Sequence, residues 1–540
     1  MNDKMQQAPD DLDICALTDI TPNTGVGALL GDVPVAIFRV AHEQRVYVLS
    51  NTDPVTKANV ICRGIIGDLQ GERVVASPIY KQHFSLATGR CLEDKNQRLT
   101  VYPSKIIEGR VWVSPTPQKT YITNNAVEQD KLKLVLVGNG LAGMRTLEDL
   151  LDMAPDRYDI TVIGEEPWGN YNRIMLSPVL SGEKTIDDIM LHPIQWYADK
   201  GIQLIAGDAA VKIDRNRKCV ITASNKEVAY DRLILATGSK PFIPPVEGVN
   251  LKGVLTFRDI YDVNSMLEYS LSKKNAVVIG GGLLGLEAAY GLKQRGMNVS
   301  VLHLMDRIMD RQLDTQASQM LKHSIEQKGI QVITQANTEA LLSDGQDNGE
   351  GHVNKVRLKD GTELDADLVV FAVGIRPNMS LAQDSGLRCN RGVIVNDTMQ
   401  TFDPSIYAVG ECIEHRGATF GLVEPLWGQA FVCASHLAEH GRLTFKTPTV
   451  PTQLKVSGVD VFSAGNFEPQ DDFEQIILND EKRQIYKRIL LQNDRVIGAV
   501  LFGDTEDGTW YAELIADQTL VTSFRSKLLF GRDFALKNAS

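Results

Sequence analysis

Two glycine-rich turns carry the most specific chemistry in the chain. Gly138-Asn139-Gly140-Leu141-Ala142-Gly143 follows the apolar run 132–137, and Gly280-Gly281-Gly282-Leu283-Leu284-Gly285 follows the run 275–279. Each sits between an expected strand and an expected helix, where glycines permit a tight turn and let backbone N–H groups at a helix N-terminus approach a pyrophosphate. A glycine turn used only for packing accounts for one such motif; the second copy in the same setting predicts two dinucleotide sites.

A ribose diol is held by a carboxylate about 20 residues past the turn. After the first motif the next strand runs into Gly164-Glu165-Glu166, and Glu165 is the expected ribose ligand with Glu166 beside it. After the second motif the equivalent position is His303, followed by Leu304-Met305-Asp306-Arg307. No acid stands at the usual ribose position there, and His303 and Arg307 would tolerate a 2′-phosphate.

These turns need parallel strands and crossover helices behind them. From Leu132 apolar strand runs alternate with amphipathic helices: 132–137, a helix through about Ala154, then 159–164. A second unit follows, with 275–280, a helix over 283–296 and 298–304, the pattern of doubly wound α/β structure. Before it, residues 1–115 hold short β-branched and aromatic runs (33–40, 45–50, 73–77, 98–113) divided by Gly, Asn, Asp and Pro, which predicts a small antiparallel β domain. A polar linker is expected over 116–131. After about His440 the mixed runs FEQIILND and QIYKRILLQNDRVIGAVLFGD, with a last helix near WYAELIADQ, predict a C-terminal α+β domain. The expected boundaries are 1–115, then 132–250 with 366–440 for the first nucleotide domain, 251–365 for the second, and 441–540.

Composition excludes several classes. The chain has 540 residues, of which 43% are hydrophobic, so fibrous or largely disordered classes are set aside. A net charge of −12 argues against nucleic acid or an anionic membrane as partner. The stretch 275–292 is interrupted by glycines and Glu287, so no membrane span is expected. The acidic N-terminus lacks a signal-peptide pattern. Seven cysteines (15, 62, 91, 219, 389, 412, 433) without any C-x-x-C fit a reducing compartment, and a cytoplasmic protein is expected.

Beyond the glycine turns the chain carries Leu235-Ala236-Thr237-Gly238-Ser239, Phe371-Ala372-Val373-Gly374-Ile375-Arg376-Pro377-Asn378 and Ile406-Tyr407-Ala408-Val409-Gly410-Glu411. In this order the set resembles the two-dinucleotide-binding-domain pyridine nucleotide:flavin oxidoreductases of glutathione-reductase-like fold. The resemblance implies FAD at the first site, held through Gly138, Gly140, Leu141, Ala142, Gly143, Glu165, Glu166, Asn172, Arg173, Thr237, Gly238, Gly410 and Glu411. It implies NADH or NADPH, with NADH favoured, at the second, held through Gly280, Gly282, Leu284, Gly285, His303, Arg307 and Gly374. Where disulfide-reducing members need redox cysteines facing the flavin, this chain reads Asn170-Tyr171-Asn172-Arg173-Ile174-Met175-Leu176-Ser177, so electrons are not expected to pass to a local thiol. Arg173 falls where relatives place a cation near the flavin, where it would stabilise charge on the reduced ring. Glu287, on the helix after the second turn, would pair with it when nicotinamide is absent, or is simply favoured by the helix dipole. Arg173 and Glu287 are the expected catalytic residues.

Segments 164–185, 309–314, 407–417, 453–465 and 495–511 further resemble the flavin half of the assimilatory nitrite reductase large-subunit family, and the first 115 residues its Rieske-like small subunit. A Rieske centre takes a C-x-H and a C-x-x-H box; the matching positions read Asn51-Thr52-Asp53 and Ser77-Pro78-Ile79-Tyr80, so no iron–sulfur cluster and no metal are expected. His83, Cys62 and Cys91 lie nearby in sequence and read as packing or surface positions. The chain ends at Ser540 without the cysteine sets of a sirohaem half, so nitrite reduction by the chain alone is not expected. The resemblance implies an FAD-dependent NAD(P)H oxidoreductase that feeds a separate metal-containing reductase subunit. A nitrate reductase is favoured, ahead of a sirohaem nitrite reductase or a ferredoxin or rubredoxin. A non-catalytic FAD/NAD-binding scaffold or redox sensor is the reading from another class.

Overall fold

In the computed structural model the described residues are 11–41, 43, 45–69, 72–94, 97–118, 131–343, 345, 351–439, 443–447, 452–456, 458–468 and 472–536. The expected linker over 116–131 lies almost wholly outside them. The chain divides into two compact units, Met1–Lys131 with Ser435–Leu443, and Leu132–Ala434 with Thr444–Ser540.

The first unit is built of short antiparallel strands. Its central sheet runs Thr24–Leu30, Val33–Arg39, Val46–Ser50, Val101–Tyr102, and three-stranded sheets lie beside it. Strands point successive side chains to opposite faces. In Val33–Arg39, Ala36 and Phe38 join one core with Leu49, Ile61 and Phe84, while Val35 and Ile37 join another with Val48, Val111 and Val113. Burial on both faces is why this strand reads as a continuous apolar run rather than an alternation. Strands at Leu12–Ala16, Thr24–Leu30, Ile65–Leu69 and His83–Ser85 had no apolar run to announce them.

The second unit repeats one topology twice. In the first repeat Gln203–Ala206, Tyr158–Gly164, Leu132–Val137, Arg232–Leu235 and Ile406–Ala408 form a parallel sheet in that order. In the second, Ile330–Ile333, Asn298–Leu302, Asn275–Ile279, Leu368–Phe371 and Val254–Thr256 do the same. Each carries a three-stranded antiparallel meander, at residues 210–229 and 338–365. The antiparallel pair Ser239–Pro241 with Ile375–Pro377 marks where the chain leaves the first repeat and returns to it. This nesting brings Gly410 and Glu411, far along the sequence, to the C-terminal edge of the first sheet next to its glycine turn.

A five-stranded antiparallel sheet, Thr452–Val456, Val459–Gly465, Arg495–Phe502, Ile485–Gln492, Glu474–Asp480, completes this unit, with helix Gly508–Asp517 packed on it through Tyr511 and Leu514. That helix is not the last: a 3-10 turn Arg525–Phe530 and a short helix Arg532–Leu536 follow. The other face of the sheet joins the core of the second repeat through Tyr486, Val500 and Phe502. Among the described residues no helix is long and apolar enough to cross a membrane.

Candidate functional site

Both glycine turns have the same geometry, and each glycine has its own physical reason. Gly138 and Gly280 lie at φ of +107° and +124°, with a Cβ position 2.1 and 2.3 Å from the Ala236 and Ala372 carbonyl oxygens, so no side chain fits. Gly143 and Gly285 let helix and turn approach closely: a Cβ would stand 2.9 Å from the Ala236 Cβ and 1.9 Å from the Gly280 oxygen. Gly140 and Gly282 differ, because a Cβ there meets nothing within 4 Å. They are the N-caps of helices Leu141–Met153 and Leu283–Gln294, and neither helix has a side-chain cap. Each therefore offers unsatisfied backbone N–H groups, through Leu141, Ala142, Leu283 and Leu284, to an open cradle, which fits a pyrophosphate.

Around the first cradle the loop after Tyr158–Gly164 is held by side chains that sequence reasoning missed. The Tyr197 hydroxyl donates to Asn139 Oδ1 (2.6 Å), and Asn170 donates to the Asn139 carbonyl (2.9 Å). Glu165 is exposed at the strand end. Glu166 turns inward, pairs with Arg173 and accepts from the Tyr171 hydroxyl at 2.7 Å. Arg173 also donates to the Arg258 carbonyl (3.2 Å) and lies over the Tyr171 ring. Burial works against its charge, but Tyr171 and Glu166 outweigh it and hold the guanidinium pKa above its ordinary value. Asn172 accepts from the Ile174 amide and starts the turn Arg173–Met175, which places Arg173 ahead of helix Leu176–Ser181.

On the opposite rim Glu411 accepts from the Ser239 hydroxyl (2.7 Å) and pairs with Arg258. Gly410, at φ +94°, donates its N–H to the fully buried Gln429 (2.8 Å). Thr237 donates to the Asn378 carbonyl (2.6 Å), Asn378 N–H returns to Gly238 (2.9 Å), and Gly374 accepts from Phe242 N–H (2.9 Å). Ser239 and Asn378 were inside recognised motifs; Arg258 and Gln429 carried no sequence signal. Cys412 and Cys433 are buried, and burial pushes both thiols up.

Glu287 does not meet Arg173. It accepts from Ser177 at 2.5 Å, and burial raises its carboxyl pKa against the opposing effect of that hydrogen bond. The pairing follows from packing: helix Leu176–Ser181 lies directly on Leu283–Gln294, Gly291 admitting Leu180, and Arg295 donates to the Leu180 and Val179 carbonyls at its C-terminal end. Ser177 thus faces Glu287, while Arg173, a turn earlier, faces Glu166.

At the far end of the second cradle His303 Nδ1 accepts from Gly281 N–H (3.0 Å), so its ring proton belongs on Nε2, which faces Asp310 Oδ1 at 3.1 Å. Arg307 pairs with Glu468 and stands 3.6 Å from Asp306 Oδ1. Leu284 is partly exposed at the helix start.

In the first unit, the positions matching the Rieske boxes do not fit a cluster held by two thiolates and two imidazoles. Asp53 and Ser77, both fully buried, bond to each other: Ser77 Oγ donates to Asp53 Oδ2 at 2.7 Å. Asp53 Oδ1 accepts from the Val55 and Thr56 amides and the Thr56 hydroxyl. Asn51 accepts from the Cys62 amide (2.8 Å), and Tyr80 is exposed. His83 is paired with Glu93, which also takes a contact from Cys91 Sγ at 3.5 Å. Among the described residues no group of three or more His, Cys, Asp or Glu side chains is placed to hold a metal.

Known proteins agree with this architecture. A family model described as pyridine nucleotide-disulphide oxidoreductase matches residues 132–430, one described as a Rieske-like [2Fe-2S] domain matches 12–114, and one described as the rubredoxin NAD+ reductase C-terminal domain matches 451–519. The chain is 50% identical to a nitrite reductase [NAD(P)H] of Bacillus subtilis over 378 residues, 70% of this chain and 46% of that protein. It is 43% identical to an assimilatory nitrate reductase electron transfer subunit of the same organism over 377 residues, 70% of this chain and 48% of that one. The solved NADH:rubredoxin oxidoreductase of Clostridium acetobutylicum superposes with a TM-score of 0.61 at 26% identity, covering 76% of this chain and all of that one. The chain thus spans about half the length of the two Bacillus relatives. The expected arrangement of a Rieske-like β domain, a two-nucleotide flavoprotein fold and a C-terminal domain holds.

Proposed function

The chain belongs to the pyridine nucleotide-disulphide oxidoreductase family, and from that membership we propose that it is an FAD-dependent NAD(P)H oxidoreductase delivering electrons to a metal centre on a separate polypeptide. The observation that carries the reading is the pair of open, uncapped helix N-termini behind Gly140 and Gly282, one in each repeat. The first cradle would hold the FAD pyrophosphate, with Glu165 at its ribose and Thr237, Gly238, Gly410 and Glu411 along its chain. The second would hold the nicotinamide nucleotide through Gly280, Gly282, Leu284 and Gly285, with Gly374 near its reacting end and NADH the favoured form. FAD, when bound, supplies the conversion between two-electron and one-electron transfer. Arg173, kept charged by Glu166, would stabilise negative charge at the flavin. Ser177 and Glu287 would fix the contact between the flavin-side and nicotinamide-side helices.

The favoured acceptor is the catalytic subunit of an assimilatory nitrate reductase, supported by likeness to a protein named as the electron transfer subunit of such an enzyme. Likeness to nitrite reductases favours a sirohaem nitrite reductase as second choice. The Rieske-like unit is read as a cluster-free structural or docking module, because Asn51, Asp53, Ser77 and Tyr80 offer neither thiolate nor imidazole. Seven free cysteines suit a reducing compartment such as the cytoplasm. Stopped-flow mixing with NADH tests the core of the proposal: bleaching of bound flavin on a catalytic timescale is expected, and its absence returns the chain to a scaffold or sensor. Co-purification with the native partner, followed by NADH-driven turnover of nitrate and of nitrite, tests the acceptor. Nitrite turnover without nitrate turnover would reverse the order. Iron analysis of the purified chain is expected to find none in stoichiometric amount.

A further inference from the structure

The two side chains that would welcome a 2′-phosphate, His303 and Arg307, are both engaged. His303 gives its Nδ1 to the Gly281 amide and turns Nε2 to Asp310. Arg307 has its Nε buried and without a hydrogen bond among the described residues, so the guanidinium can meet a ligand only through its terminal nitrogens. Nη2 is paired with Glu468 and Nη1 lies 3.6 Å from Asp306. Glu468 belongs neither to the glycine turn nor to its sheet. It comes from the C-terminal sheet, just past strand Val459–Gly465, and reaches Arg307 across 161 residues of sequence. Another strand of the same sheet, Ile485–Gln492, anchors it on the second repeat: Tyr486 donates to the buried Asp314 at 2.9 Å and Arg488 pairs with the same carboxylate at 3.0 Å.

Two carboxylates, Asp306 and Glu468, therefore stand at the Arg307 guanidinium, and a third, Asp310, faces His303, at the strand end where the adenosine ribose is bound in dinucleotide folds. A 2′-phosphate brings up to two further negative charges. It would compete with Glu468 and Asp306 for Arg307, whereas a plain 2′-hydroxyl asks for no cation. We propose that Glu468 is a specificity residue of the nucleotide site: by occupying Arg307 it withholds that guanidinium from a 2′-phosphate, so that the C-terminal sheet selects NADH over NADPH. This rests on the reading of the second cradle as the nicotinamide nucleotide site.

The test uses the full FAD-loaded chain, with Glu468→Gln and the double variant Glu468→Gln/Arg307→Gln. Calorimetric titration compares adenosine 2′,5′-bisphosphate with 5′-AMP, and stopped-flow compares NADPH with NADH. The wild type is expected to prefer 5′-AMP and NADH. Glu468→Gln should move both preference ratios toward the 2′-phosphate by about five-fold, the upper end of what an exposed ion pair contributes, and the double variant should lose that gain. Unchanged ratios in Glu468→Gln, a gain that persists without Arg307, or a wild type indifferent to the 2′-phosphate would each overturn the proposal. Failure of the underlying reading looks different: neither 5′-AMP nor the bisphosphate binds the FAD-loaded wild type and neither nucleotide bleaches its flavin, and the role of Glu468 falls with it.

Discussion

Replacing Asp53 by Ala should loosen the two loops of the first unit that carry cluster ligands in true Rieske domains. Asp53 is fully buried and its carboxylate accepts four hydrogen bonds: Ser77 Oγ at 2.7 Å, the Thr56 amide at 2.9 Å, the Val55 amide at 3.0 Å and Thr56 Oγ1 at 3.1 Å. Bonds to a charged acceptor contribute about 1.5–3 kcal/mol each. Val55 and Thr56 are exposed, so water replaces Asp53 for their donors, and the buried Ser77 hydroxyl is the main uncompensated loss. The expected cost is about 2–4 kcal/mol, or roughly 30- to 900-fold in the local opening constant. Hydrogen exchange of the full chain, followed in peptides over 72–91, reads this directly. The pH dependence adds a signature. Burial pushes the Asp53 carboxyl up, but the Thr56, Ser77 and Val55 hydrogen bonds outweigh it and leave its pKa below the ordinary value. A depressed carboxylate stabilises the fold above its unfolded pKa and loses that contribution as pH falls toward the folded one. The gap between wild type and Asp53→Ala should thus be full at neutral pH and close below about pH 4. Equal exchange in the two proteins at pH 7 would refute the account of these loops as joined by Asp53 and Ser77.

The three-glycine pattern yields a contrast within one motif: Gly140→Ala adds a Cβ to open space and should weaken FAD affinity by at least about ten-fold, while the apoprotein melts as before; Gly143→Ala drives a Cβ to 2.9 Å from that of Ala236 and should destabilise the apoprotein by about 1–3 kcal/mol. Isothermal titration of FAD and thermal melts separate the two. Glu287→Gln should flatten the stability profile on the alkaline side. Burial raises the Glu287 carboxyl pKa, so its contribution is full at low pH and is lost as pH rises beyond the ordinary value near 4.3. Gln mimics the protonated form, and urea midpoints across pH 5–8 should fall for wild type and stay level for the variant.

Much of the architecture was legible because it is dictated locally. A glycine is required at 138 and 280 by a carbonyl that a Cβ would strike, and at 140 and 282 by space that must stay open, so the turn sequence itself carries the geometry. Parallel strands buried on both faces announce themselves as unbroken apolar runs such as 134–137. The strands Thr24–Leu30 and Ile65–Leu69 did not, because each buries too little to leave a pattern: Leu30 alone is buried in the first, and no residue in the second.

Pairings between side chains were less legible for a physical reason. The sequence leaves Glu287 open between a pairing with Arg173 and a helix-dipole position; four residues separate Arg173 from Ser177, about one helical turn, and that turn decides which group faces helix Leu283–Gln294. Opposite charge alone attracts at any register; only the docking of Leu180 against Gly291, held by Arg295, selects Ser177 for Glu287 and leaves Arg173 to Glu166. The same holds for Arg307. The sequence offers it to a 2′-phosphate, because its partner Glu468 lies 161 residues away, just past a strand of a C-terminal sheet that docks through Tyr486 and Arg488 on Asp314. A charge read from sequence is therefore an offer of chemistry whose acceptance depends on the partner that packing delivers. In this chain the C-terminal sheet supplies one such partner for the strand end of the second repeat.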